Sequence, residues 1–179
     1  MALHLEDEIL ARFRRLTGRT LTSMRIRTHG DYHLGQLLYT GNDFLITDFE
    51  GEPARSLAER KLKRSALRDV AGMLRSFDYA VHSALSEQRQ SGLNEEMARV
   101  AREWGQLWQA WVSVEFLRSY LESVRDASIL KAPPDEIEVL LSTYVLEKVV
   151  YELAYELNNR PDWLIVPLRG MLELVQSGP

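Results

Sequence analysis

The chain has 179 residues, a formal net charge of −4, 45% hydrophobic and 27% charged residues, and no cysteine. That length suits one domain with its own core, and the composition is that of a soluble globular domain. The acidic balance argues against nucleic acid as a partner. No apolar run approaches the roughly 18–20 residues of a membrane span, so no membrane partner is expected. Disulfides, zinc-thiolate sites and thiol catalysis are excluded. The start, MALHLEDEILARF, carries acids early and lacks a basic stretch before an apolar core. A secretory leader is therefore not expected, and a cytoplasmic location is.

Leu5, Ile9, Leu10, Phe13 and Leu16 predict a helix over 4–17, stopped by Gly18. TLTSMRIRT at 20–28 reads as a strand or extended entry, and HGDYHLGQ at 29–36 as a polar loop. The runs LLYT and FLITDF, around Gly41-Asn42-Asp43, predict a β-hairpin over 36–48. A hairpin so small is expected to lie on the helices. Residues 50–64 read as a loop with at most a short helix. From 65 onward the pattern is helical, with segments at 66–90, 94–127, 135–158 and 163–175. Gly105 is a possible bend, Pro133-Pro134 the clearest break, Asp135 and Glu136 the expected start of the third segment, and Asp162 a cap for the last. The fold class expected is mainly α with a small β-hairpin (α+β), in one domain over 1–179 with its helical body at 65–177.

The chemistry concentrates in 29–50, HGDYHLGQLLYTGNDFLITDFE. Asp31 precedes the hairpin, Gln36 begins its first strand, and Asp48 ends its second. A hairpin returns the end of its second strand to the start of its first, so Gln36 and Asp48 can converge near Asp31. Phosphoryl transfer needs one carboxylate to orient the acceptor hydroxyl and oxygen ligands for Mg²⁺ on the phosphates. In protein kinases, HRD with an Asn five residues on, then DFG, supplies them. Here HGD-x-x-x-x-Q and DFE hold the same relative places.

The segments HGDYHLGQ and DFEGEP, with LITDFEGEPARSLAERKLKRSALRDVAGMLRSFDYA (45–80), WVSVEFLRSYLE (111–122) and ELAYELNNRPDWLIVPLRGM (152–171), carry a family resemblance. The chain resembles the aminoglycoside-phosphotransferase-like kinases, relatives of the protein kinases, and among them the maltokinases, often associated with or fused to trehalose synthase. The resemblance implies the C-terminal lobe of that fold, with catalytic loop 29–36 and metal motif 48–53. It implies transfer of the ATP γ-phosphate to maltose, giving maltose 1-phosphate in trehalose and glycogen metabolism. Asp31 would be the base, and Gln36 and Asp48 the Mg²⁺ ligands. DFE departs from DFG, and Glu50 would reach the metal or steer the loop. His29 would shape the loop, and Asp69 would brace it from the following helix, where an N-cap is the plainer role.

His33 is an even choice between acceptor contact and structure. Tyr151, Tyr155, Asn158, Asn159 and Arg160 are acceptor-site candidates, with core and capping roles equally open. Trp104, Trp108 and Trp111 share one helical face, for which core is expected before a sugar platform. Arg55, Arg60, Lys61, Lys63, Arg64 and Arg68, against Glu59, form a basic run read as a solvated loop. Before His29 there is neither a Gly-rich phosphate loop nor a strand lysine. The N-terminal ATP-binding lobe is therefore expected to be missing, and the fragment to turn over poorly. A carbohydrate-binding or docking module without catalysis is one alternative. A kinase for an aminoglycoside or choline-like alcohol is another, suited by seven acids against Lys148 and Arg160 in 133–163.

Overall fold

Leu67, Val70, Leu74, Phe77 and Val81 recur at helical spacing and form the central helix of the molecule. A computed structural model describes residues 6–90 and 94–176. In chain order the elements are α1 (Glu6–Arg14), β1 (Leu37–Tyr39), β2 (Phe44–Ile46), α2 (Leu57–Arg60), α3 (Leu67–Gln90), α4 (Glu95–Ser123), α5 (Pro134–Asn159) and α6 (Ile165–Gln176). Short 3₁₀ turns lie at Leu34–Gln36, Ser128–Leu130 and Pro161–Trp163. The described residues are mainly helical, with one two-stranded antiparallel sheet among them. Residues 1–5, 91–93 and 177–179 of the domain and segments predicted above lie outside the described residues.

The core sits where α3 meets α4 and α5, with α6 closing over α5. Leu67 and Val70 of α3, Leu140 of α5 and Leu130 are buried together, under Phe116, Leu117 and Leu121 of α4. A second stretch buries Met73, Phe77, Leu146, Val149, Val166 and Met171. Burying each such side chain contributes about 1.5–3 kcal/mol, which is why these helices pair face to face. α4 runs through Gly105 unbroken and ends at Ser123, four residues before the predicted stop. Gly105 serves packing instead: a Cβ there would lie 2.7 Å from Val81.

Several expectations are corrected. Residues 20–28 form no strand; only Ile26 bridges Arg64. Thr22 and Ser23 are instead tied to α5, where the Glu136 carboxylate accepts from both backbone N–H groups at 2.8 and 2.9 Å. Glu136 is thus a tether between segments, and Pro133 stands at the N-cap of α5 without a side-chain cap. The last helix starts at Ile165 after the Pro161–Trp163 turn, which has no side-chain cap from Asp162. The tryptophans of α4 are not core: Trp104, Trp108 and Trp111 are exposed.

The hairpin forms, with strands shorter than the predicted 36–48: Leu37 pairs opposite Ile46 and Tyr39 opposite Phe44, Gln36 lies in the preceding 3₁₀ turn, and Gly41 takes the positive φ of the turn. It does not lie on the helices. Leu38, Tyr39, Phe44, Leu45 and Ile46 are all exposed. What seats this half of the chain is the loop before it, which crosses α3 at Gly72. A Cβ on Gly72 would meet the Tyr32 carbonyl oxygen at 2.6 Å.

Gly→Ala inside a helix ordinarily stabilises by about 0.5–1 kcal/mol. At Gly72 the sign is expected to reverse. Gly72→Ala should destabilise by about 1–3 kcal/mol in urea unfolding, with backbone shifts at Asp31–His33 in NMR spectra. A stability gain with an unmoved loop would show that α3 and the loop do not pack this closely in solution.

Candidate functional site

The loop at 29–36 is held from below by one side chain. Asp69, in the first turn of α3, accepts the His29 N–H at 2.6 Å on one carboxylate oxygen and the Gly30 N–H at 2.9 Å on the other. His29 is buried, and its Nε2 lies 2.7 Å from the Thr47 carbonyl, which ties the loop to the second strand of the hairpin. Its ring packs against Tyr32 and Phe49. Gly30 and Gly51, both at positive φ, pass backbone to backbone; a Cβ on Gly30 would touch the Gly51 Cα at 3.3 Å. Only glycine fits such a crossing without strain.

This bracing puts Asp31 over α5. Its side chain is 15% exposed, with Lys148 Nζ at 3.5 Å and His33 Nε2 at 3.6 Å from its oxygens. Lys148 also lies 3.8 Å from Glu52. Burial pushes the Asp31 carboxyl up, but hydrogen bonding from His33, the Lys148 charge and Glu52 outweigh it and hold the pKa at about 2. Asp31 is therefore ionised throughout the neutral range.

Gln36 and Asp48 converge as the hairpin geometry requires. Thr47 N–H donates to the Gln36 carbonyl, and Gln36 Nε2 donates to Asp48 at 3.1 Å. Asp48 sits at φ +61, a left-handed conformation that aspartate tolerates better than most residues. Among the described residues no group of three or more His, Cys, Asp and Glu could hold a metal ion. One carboxylate and one amide oxygen are nonetheless a donor set that fits Mg²⁺, which takes most of its shell from phosphates and water. Glu50 is exposed, and its backbone carbonyl accepts from Arg60.

A cavity of about 560 Å³ opens beside Asp31, lined among others by His33, Glu52, Tyr79, Lys148, Tyr155 and Arg160. Its α5 wall is set by two ion pairs. Arg75 of α3, almost wholly buried, donates from Nε and Nη2 to Glu152 at 2.9 and 2.8 Å and from Nη1 to Asp78 at 2.6 Å. Arg160 grips Glu156 through two nitrogens at 2.9 and 2.6 Å, and Tyr79 donates to the same carboxylate at 3.0 Å. The Arg160 guanidinium also covers the rings of Tyr155 and Trp163. Tyr151 lines the cavity under Lys148, whose Nζ is 5.1 Å from the ring centre. Its hydroxyl is buried next to the Glu52 carboxylate. Burial, then hydrogen bonding and charge from Glu52, raises its pKa.

Of the residues singled out in the sequence, Asp31, His33, Tyr151, Tyr155 and Arg160 thus meet at one cavity, with Gln36 and Asp48 paired at the near end of the hairpin. Asn158 and Asn159 are not brought there. Each donates its amide to its own helix, to the carbonyls of Ala154 and Tyr155. Sequence reasoning missed Lys148, Glu52, Arg75 and Glu152. The available signal was the spacing Lys148–Glu152–Glu156, which repeats charge every four residues on a helix otherwise rich in apolar side chains.

No family model matches the chain. It is similar to the glucosamine kinase of Mycolicibacterium smegmatis (strain ATCC 700084 / mc(2)155), 27% identical over 154 residues, covering 84% of this chain and 34% of that protein. It is 26% identical over 152 residues to the glucosamine kinase of Streptacidiphilus jiangxiensis, covering 84% and 32%. The chain thus spans about a third of the length of the curated relatives it matches. Crystal form B of a glucosamine kinase superposes with a TM-score of 0.76 at 23% identity, over 97% of this chain and 38% of that one. A glucosamine kinase in complex with glucosamine, ADP and inorganic phosphate gives 0.65 at 22% identity, over 95% and 39%. The fold is therefore that of part of the glucosamine kinases. The matched proteins are kinases of glucosamine, and this overturns maltose as the expected substrate and trehalose synthase as the expected partner. No described helix is long and apolar enough to cross a membrane.

Because its pKa lies below the usual carboxylate value, Asp31 stabilises the fold above about pH 4, and this contribution is lost as pH falls toward about 2. Lys148→Met should move the Asp31 midpoint up toward the ordinary carboxylate value in a ¹³C carboxyl NMR titration. An unmoved midpoint would mean that Lys148 does not act on Asp31.

Proposed function

We propose that this chain is the C-terminal, catalytic lobe of an ATP-dependent sugar kinase. The observation that supports this most is Asp31, ionised and flanked by Lys148, His33 and Glu52 at the mouth of a sugar-sized cavity. The likeness to glucosamine kinases adds to it. In this reading the acceptor sugar lies in the cavity with one hydroxyl on Asp31. The hydroxyl oxygen bonds to the γ-phosphorus, the bond from phosphorus to the β–γ bridging oxygen breaks, and ADP leaves with that electron pair. Asp31 takes the hydroxyl proton.

A carboxylate held at about 2 is a weak base. That suits a loose transition state, in which proton transfer is late and positioning dominates. Lys148, with His33, helps hold Asp31 below the ordinary carboxylate value, and its ammonium would offset charge on the transferring group. Asp69 and His29 act through the loop, as positioning residues. Gln36 and Asp48 would hold Mg²⁺, which neutralises charge on the nucleotide phosphates. Glu50 lies outside this set.

For the acceptor we favour an amino sugar. Asp31, Glu52, Glu152 and Glu156 border the cavity against Lys148 and Arg160, so the lining suits a neutral or cationic ligand better than an anionic one. Tyr151 and Tyr155 add aromatic surface to the lining.

Calorimetry on the chain should detect saturable binding of glucosamine, weakened at least about fivefold by Tyr155→Ala. In a polypeptide that also carries the ATP-binding lobe, Asp31→Asn should lower label transfer from ATP to the sugar at least a hundredfold with little change in sugar affinity. Saturable binding of choline but of no sugar would contradict the substrate class. Transfer indifferent to Asp31→Asn would contradict the base.

A further inference from the structure

α4 is amphipathic in an unusual sense: both of its faces are apolar. One packs on α3 through Gly105 against Val81, and through Phe116 and the edge of Trp108 against Phe77. The other carries Met97, Val100, Trp104, Leu107, Trp108, Trp111 and Val114 into solvent, with Trp104 and Trp111 66% and 69% exposed and Trp108 49%. These positions recur every three or four residues and form one stripe about five turns long. Single exposed apolar residues need no explanation, but a contiguous stripe with three tryptophans marks a contact surface.

We propose that this stripe pairs antiparallel with the same stripe of a second copy of the chain. Self-pairing about a two-fold axis requires one surface to complement itself. With the axis at Leu107, Val100 faces Val114 of the copy, and Trp104 faces its Ala110, one residue from its Trp111. The same register sets Glu96, in the first turn of α4, against the copy's Arg118 near the other end, and repeats that pair by symmetry. Arg118 is 60% exposed and already lies along the helix surface between Glu115 and Glu122. Taking roughly 200 Å² for a large aromatic side chain and somewhat less for an aliphatic one, the exposed fractions of the stripe amount to about 700 Å² per copy. A stable interface takes about 800 Å² from each partner, so the stripe would supply most of it and the charged rim the remainder. The pairing leaves the cavity beside Asp31 uncovered, since the stripe lies on α4 and the cavity is lined from the loops, α3 and α5. It does not depend on the proposed function.

The test is sedimentation equilibrium of the full chain across the micromolar range. A monomer–dimer equilibrium is expected, weakened at least about tenfold by Trp111→Glu with helical circular dichroism retained. Glu96→Arg should weaken it less, and Glu96→Arg combined with Arg118→Glu should restore it. The proposal is overturned by a chain that stays monomeric, by a dimer indifferent to Trp111→Glu, or by one abolished through Leu45→Glu on the hairpin instead.

Discussion

One carboxylate holds two consecutive backbone N–H groups, and the arrangement of the site follows from it. Asp69 is fixed by α3, which packs against both α4 and α5, and His29 and Gly30 donate to its two oxygens. Hydrogen bonds to an ionised acceptor contribute about 1.5–3 kcal/mol each, which matters in a loop with no regular structure of its own. The brace fixes Asp31 in register, and the His29 ring carries the constraint on to Thr47, one residue before Asp48. The carboxylate over α5 and the amide–carboxylate pair at the hairpin base are thus positioned by a single anchor. The hairpin itself, with its apolar side chains in solvent, supplies connection and not packing.

The second constraint is charge inside the helical body. Arg75 is buried between α3 and α5 and closes on Glu152 and Asp78, while Gly170 of α6 passes directly over its guanidinium. Such a group adds little net stability over an apolar core, but losing one partner leaves a charge stranded. Its effect is directional: it fixes the Glu152 carboxylate at the cavity wall and sets how closely α6 approaches. Arg160 does the same for Glu156 at the other end. The wall is then rigid before any ligand arrives, which lowers the ordering cost of binding.

Much of this was legible in the sequence where periodicity and turn chemistry act locally. The apolar spacing of α3 and α5, the Gly41-Asn42-Asp43 turn and the convergence of Gln36 with Asp48 all follow from rules of short range. Periodicity could not say which side of α4 meets the core. Trp104 and Trp111 lie on a face as regular as the one that packs, and only Gly105, small enough for Val81 to enter, marks the buried side. Residues 20–28 have strand composition but find no strand to pair with, and Glu136 holds them instead. In the sequence Lys148 is one charge in an acidic stretch, because its meeting with Asp31 across 117 residues of chain depends on tertiary packing. The acceptor assignment failed for another reason: likeness of local segments does not carry the chemistry of a pocket built from three elements.

The site depends on the brace, so the most direct measurement is native-state amide hydrogen exchange at His29 and Gly30. Both amides should exchange as slowly as those of the first turns of α3, and Asp69→Ala should release them and Asp31 together while α5 stays protected. Exchange as fast as at the hairpin tip in the unaltered chain would contradict this brace, because the loop would then not be preformed and nothing would hold Asp31 at the cavity.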